Sequence, residues 1–76
     1  MTLEERIITV VQENLEKRQE IKLTSRLMED LHVDSLDKMM IIGALEDEFF
    51  IAIDEEDFAD VLTVNDIVER IKSRQG

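Results

Sequence analysis

A chain of 76 residues holds one small domain, expected over residues 1–76, and such a body buries only roughly 60% of its unfolded surface, too little to wall a deep catalytic cleft. Its net charge of −10 opposes nucleic-acid phosphates. The twelve acids that face the single base Lys38 between Glu29 and Asp60 suit a partner with a basic patch. With no cysteine, there is no disulfide and no thiol chemistry unless a thiol is attached later. No apolar run approaches the roughly 20 residues that span a bilayer. The N-terminus MTLEERIITVV has acids where a signal peptide wants bases. A soluble, cytoplasmic monomer without membrane insertion is expected.

Three segments show helical periodicity. In the first, Leu3, Ile7, Ile8, Val11 and Leu15 recur at three- and four-residue steps, behind the capping-box pair Thr2 and Glu5. A long connection over about residues 16–33 follows, and Ile21, Leu23, Leu27 and Leu31 are expected to pin it to the core. In the second segment, Leu36, Met39, Met40, Ile41, Ile42, Leu45 and Phe49 form a wide apolar band behind a second capping pair, Asp34 and Asp37. Ile51 and Ile53 then alternate with Ala52. A lone strand has no partner here, so they are read as core plugs in a loop. Glu56 to Asp60 allows a short helical turn. The third segment carries Val64, Ile67, Val68 and Ile71, capped by Thr63 with Asp66, with Lys72 and Arg74 where the helix dipole favours cations. The expected fold is all-α: a small bundle of three long helices and one short one.

The stretch LHVDSLDKMM, Leu31 to Met40, carries the chemistry. With Asp34 as N-cap, Ser35 is the first helical residue, beside free backbone N–H groups and the positive end of the dipole. Phosphate is well accommodated there; a plain helix start is the competing explanation. A nucleophilic serine needs a general base and a group to orient it. His32 is the only histidine, and neither an orienting residue nor a glycine-rich oxyanion turn accompanies it. It reads instead as a loop residue that touches a partner. Asp54-Glu55-Glu56-Asp57 lacks the pattern of a calcium loop. No catalytic residue and no dedicated metal site are expected.

Asp34-Ser35-Leu36-Asp37 has Leu27, Asp30 and Leu31 before it and Ala44, Leu45, Glu46, Glu48 and Phe49 after it, followed by Ile53, the acidic Glu55-Glu56-Asp57 and Thr63-Val64. By this pattern the chain resembles the acyl carrier proteins. The resemblance implies a 4'-phosphopantetheine arm from coenzyme A on Ser35, framed by Asp34, Leu36 and Asp37, with acyl groups held as thioesters on its thiol. It implies as partners a phosphopantetheinyl transferase and acyl-transferring and acyl-modifying enzymes of fatty-acid, polyketide or related lipid biosynthesis, with basic docking patches. Met39, Met40, Gly43 and Asp47, with Lys38 and Glu48, are candidates for the docking face. Ile41, Ile42, Leu45, Ile53 and Ile67 are candidates to line a shelter for an acyl chain.

Several positions depart from the family pattern. His32 and Val33 stand where a glycine and a small residue usually precede Asp-Ser. Met40 replaces a glutamate, Gly43 a methionine, and Asp54 a proline. Met39 and Met40 offer adaptable contacts, which suits a specialised set of enzymes. Two further readings stay open: a carrier of aminoacyl groups, and an acidic helical adaptor without a prosthetic group.

Overall fold

A computed structural model describes residues 1–75. It has three α-helices: α1 (Leu3–Glu13), α2 (Ser35–Phe49) and α3 (Val64–Gln75). A short 3-10 helix, Glu55–Phe58, precedes α3. The all-α architecture matches the expectation, and the described residues form no strand beyond a single bridge between Arg26 and Thr63.

Each helix begins where its side chains can satisfy orphan N–H groups. Glu5 N donates to Thr2 Oγ1 at 3.1 Å and Thr2 N to Glu5 Oε1 at 3.0 Å. Asp37 N donates to Asp34 Oδ1 at 2.8 Å and Asp34 N to Asp37 Oδ2 at 3.4 Å. Asp66 N donates to Thr63 Oγ1 at 3.2 Å, while Asp66 Oδ2 accepts from Leu62 N and Thr63 N. All three expected boxes form.

The ends are less regular. α1 stops at Glu13, short of Leu15. Asn14 is the cause: its Nδ2 donates to the Val10 carbonyl at 2.8 Å, a side-chain bond that competes with the next helical turn. Leu15 still packs on the core, and Val10, outside the expected stripe, is buried. α2 ends at Phe49 and is capped by Phe50, which adopts φ 54° and ψ 47°. The short helix starts at Glu55, one residue before the expected turn, and its last residue, Phe58, is buried in the core.

One hydrophobic cluster unites the elements. Ile7 and Val11 of α1, Ile41 and Leu45 of α2, and Val64, Ile67 and Ile71 of α3 meet there, with Leu27, Leu31, Val33, Ile53, Phe58 and Val61 from the connections. α1 packs against both α2 and α3. All four expected residues pin the long connection: Leu27 and Leu31 are buried in the cluster, and Ile21 and Leu23, half-buried, pack against it. Ile53 is a buried plug and Ile51 a half-buried one. The connection also caps α3: Val64 N donates to Ser25 O at 3.1 Å and Asn65 N to Leu23 O at 2.9 Å. Leu27 N donates to Leu62 O at 2.9 Å. These bonds hold the segment entering α3 against the residues that lead into α2, and so frame Ser35.

Candidate functional site

Ser35 is exposed at the head of α2. Its hydroxyl makes no hydrogen bond among the described residues, to His32 or to any other. The neighbouring carboxylates, Asp34 and Asp37, are occupied with capping each other's backbone. The Asp37 amide is taken by Asp34 Oδ1, and the Lys38 amide by the Asp34 carbonyl. The amides of Ser35 and Leu36 remain without a partner among the described residues, at the positive end of the helix. The site therefore offers a free hydroxyl and unused N–H donors but no base to activate the hydroxyl.

Two grooves meet at this serine. The larger, about 330 Å³, runs between α2 and the segment entering α3 and is lined by Leu27, Met28, Val33, Asp34, Ser35, Lys38, Ala59, Val61, Leu62 and Thr63, with Arg26 and Glu29 at its rim. The smaller, about 190 Å³, is lined by Ser35, Lys38, Met39, Ile42, Glu55, Phe58 and Ala59. Lys38, half-buried, borders both, and its Nζ donates to the Val61 carbonyl at 3.4 Å. Met28 and Leu62 are 71% and 68% exposed. Sequence periodicity gave neither a role, because only the fold brings their segments beside Ser35.

Along α2, Leu36, Met39 and Met40 are 66%, 56% and 52% exposed. Met40 thus lies outside the core although Ile41 and Ile42 beside it are buried. A Cβ on Gly43 would meet nothing within 4 Å, so no internal packing requires a glycine there. Asp47 is exposed. Glu48 is engaged within the molecule: Arg6 Nη2 pairs with its carboxylate at 3.0 Å and bonds its carbonyl at 3.3 Å. The same guanidinium lies 4.5 Å from the Phe49 ring centroid. Glu48 therefore ties α2 to α1.

Ile41, Ile42, Leu45, Ile53 and Ile67 are all buried in the one cluster. Of the five, Ile42 borders the smaller groove and Ile53 borders a separate hollow of about 100 Å³ with Phe58 and Ile71. The core is closed around the others.

The acids are less segregated in space than along the chain. Arg6, Arg26, Arg70 and Arg74 pair with five of the twelve between Glu29 and Asp60, namely Glu48, Glu29, Asp30, Asp60 and Asp57. Hydrogen bonds from the Arg26 side chain and backbone hold the Asp30 carboxyl below its ordinary pKa. Backbone N–H groups of Leu62 and Thr63 do the same for Asp66. Among the described residues, no His, Cys, Asp and Glu side chains cluster as metal ligands, and no helix is long and apolar enough to cross a membrane.

Two residues in the left-handed region were not foreseen as such: His32 at φ 58° and Phe50 at φ 54°. His32 occupies the position where the resembling family has glycine, the residue that adopts this conformation without penalty. Val33, which replaces a small residue, is buried in the core. Phe50 is 93% exposed.

Comparison with known proteins agrees with this geometry. Residues 5–71 match the family model for a phosphopantetheine attachment site. An acyl carrier protein of Nitratidesulfovibrio vulgaris is 38% identical over 76 residues, covering 99% of this chain and all of that one. One from Rickettsia canadensis is 39% identical over 75 residues, covering 97% of this chain and 87% of that one. A solved Mycobacterium tuberculosis chain assigned as an acyl carrier protein superposes with a TM-score of 0.88 at 35% identity, covering 95% of this chain and 97% of that one. With its helices, its free serine and these relatives in accord, the chain belongs to the acyl carrier proteins, non-catalytic carriers whose prosthetic group is covalent 4'-phosphopantetheine.

Proposed function

We propose that Ser35 bears the phosphopantetheine arm and that this protein presents acyl thioesters to a series of biosynthetic enzymes. The observation that carries the reading is the Ser35 hydroxyl at the capped head of α2, beside the amides of Ser35 and Leu36, all three without a hydrogen-bond partner among the described residues. The residues present fit the group. The hydroxyl is accessible for a phosphodiester, and the helix N-terminus favours its negative charge. The larger groove offers Leu27, Met28, Val61 and Leu62 to the apolar parts of a pantetheine chain. When attached, the arm supplies a long tether ending in a thiol, which this cysteine-free chain otherwise lacks.

The residues around Ser35 then divide the work. Asp34 and Asp37 fix the start of α2 and keep the serine in the first turn, clear of the core. The tether raises the effective concentration of cargo near each active site. Leu36, Met39 and Met40 give enzymes an apolar surface next to the serine, and Gly43 allows close approach of another backbone. Asp47 adds charge for a basic docking patch. The replacement of a family glutamate by exposed Met40 supports service to a specialised set of acyl-handling enzymes within lipid or polyketide biosynthesis. The closed core supports a cargo carried mainly outside the bundle. On this reading the carrier acts as a monomer in the cytoplasm.

The site is tested by incubation with coenzyme A and a phosphopantetheinyl transferase, followed by tryptic mapping. The modification is expected on the Leu27–Lys38 peptide, whose one hydroxyl is that of Ser35. Ser35→Ala is expected to abolish it with helical circular dichroism unchanged. Modification of any other peptide rejects the assignment.

A further inference from the structure

Lys38 stands apart from its surroundings. It is the only base between Glu29 and Asp60, and it follows Ser35 by three residues, so the two side chains share a face of α2. It borders both grooves that meet at the serine. Its only hydrogen bond among the described residues, to Val61 O at 3.4 Å, is well beyond the usual N–H···O distance of about 2.9 Å. Little is lost when the ammonium turns to a better acceptor.

The two grooves differ in charge. The smaller has Glu55 at its edge, which repels a phosphodiester. The larger has Arg26, whose charge is shared with Glu29 and Asp30, together with Glu29 and Asp34. The acids at the larger groove are engaged: Glu29 with Arg26, and Asp34 with the Asp37 amide. Glu55 makes no ion pair among the described residues. Among the described residues, Lys38 is thus the cation without an ionic partner that both paths share, and its ammonium lies on the Val61 side.

We propose that Lys38 is a positioning residue for the arm: its ammonium pairs with the phosphodiester on Ser35 and directs the chain into the larger groove, over Val61 and Leu62 and away from Met39 and Phe58. The proposal rests on Ser35 as the attachment residue. Loss of the positive charge removes the bias, and the chain divides between the two grooves. A structural role for Lys38 would differ. If the side chain merely bonds Val61 O, a neutral donor of similar length serves as well.

The experiment uses the full chain, converted to the holo form by a phosphopantetheinyl transferase from coenzyme A isotope-labelled in its pantetheine part, and checked first by intact mass. Isotope-filtered nuclear Overhauser spectra then report which methyl groups lie near the arm. Wild type is expected to show contacts to the methyls of Met28, Val61 and Leu62, and few to Met39 and Ile42. In Lys38→Gln the ratio of the two sets is expected to fall about threefold, as suits one ion pair at a half-exposed site; Lys38→Arg should restore it. A wild-type ratio in Lys38→Gln overturns the proposal, as does a wild-type arm lying against Met39 and Ile42 or against neither groove. Failure to gain the arm at the mass step is a different result: it rejects the carrier reading itself, and this proposal with it.

Discussion

Two residues hold backbone conformations that their side chains disfavour. A left-handed non-glycine residue costs roughly 1–2 kcal/mol, and neither side chain recovers that by burial: His32 is exposed and Phe50 is 93% exposed. His32→Gly and Phe50→Gly should each raise stability by up to about 1 kcal/mol, since the added entropy of the unfolded glycine offsets part of the gain. Denaturant melts that show either variant less stable would mean that the side chain makes a contact worth more than the strain. Met40 gives a second test. Its 52% exposure predicts that Met40→Glu changes stability within about 0.5 kcal/mol, while binding to the protein's own partner weakens as a charge is desolvated against an apolar patch. A drop of several kcal/mol in the melt would return Met40 to the core. Unchanged affinity in a stable variant would remove the specialised-partner reading.

At the scale of elements, the helix starts were legible because their signals are local. Thr2/Glu5, Asp34/Asp37 and Thr63/Asp66 each bring donor and acceptor within three residues, so spacing alone reveals them. The stops were less legible. Asn14 ends α1 through a side-chain bond to Val10, and nothing in the apolar spacing up to Leu15 forbids another turn. Ser35 could be placed from its own neighbourhood, but the groove beside it could not: Met28 and Leu62 come to line one groove with Ser35 through the bonds that tie the long connection to the start of α3. The Arg6–Glu48 pair likewise joins residues 42 apart. The α3 cap and the Arg26–Asp30 pair also set a pH dependence. Asp66 and Asp30 have carboxyls held below their ordinary values by hydrogen bonds. Each therefore contributes stability that is complete above the ordinary carboxylate pKa and is lost as pH falls through the depressed folded value. Acid titration followed by circular dichroism should show stability falling below about pH 4. Asp66→Asn should flatten part of that fall, and an unchanged acid limb would contradict the role given to Asp66.

For the whole molecule, the proposed docking on basic partners makes charge the expected control of encounter. Four arginines pair with five acids of the Glu29–Asp60 segment, and seven remain free of such pairs among the described residues, Asp47 among them. Those still give the face around α2 a negative field. Association with a basic partner should slow as salt shortens the screening length toward about 8 Å at physiological ionic strength, and Asp47→Lys should lower the on-rate more than it raises the off-rate. Stopped-flow binding indifferent to salt would discard the acidic docking face.

The central claim, that this chain carries acyl groups on an arm at Ser35, is met most directly by intact mass spectrometry across two steps. Incubation with coenzyme A and the transferase should add one phosphopantetheinyl group to wild type and none to Ser35→Ala. Loading the holo form with an acyl donor should then add one acyl group that hydroxylamine removes, as it does from a thioester. A wild-type chain that gains no phosphopantetheine would be an acidic adaptor with a carrier's fold, and an acyl group that is acquired by Ser35→Ala or survives hydroxylamine would contradict the account.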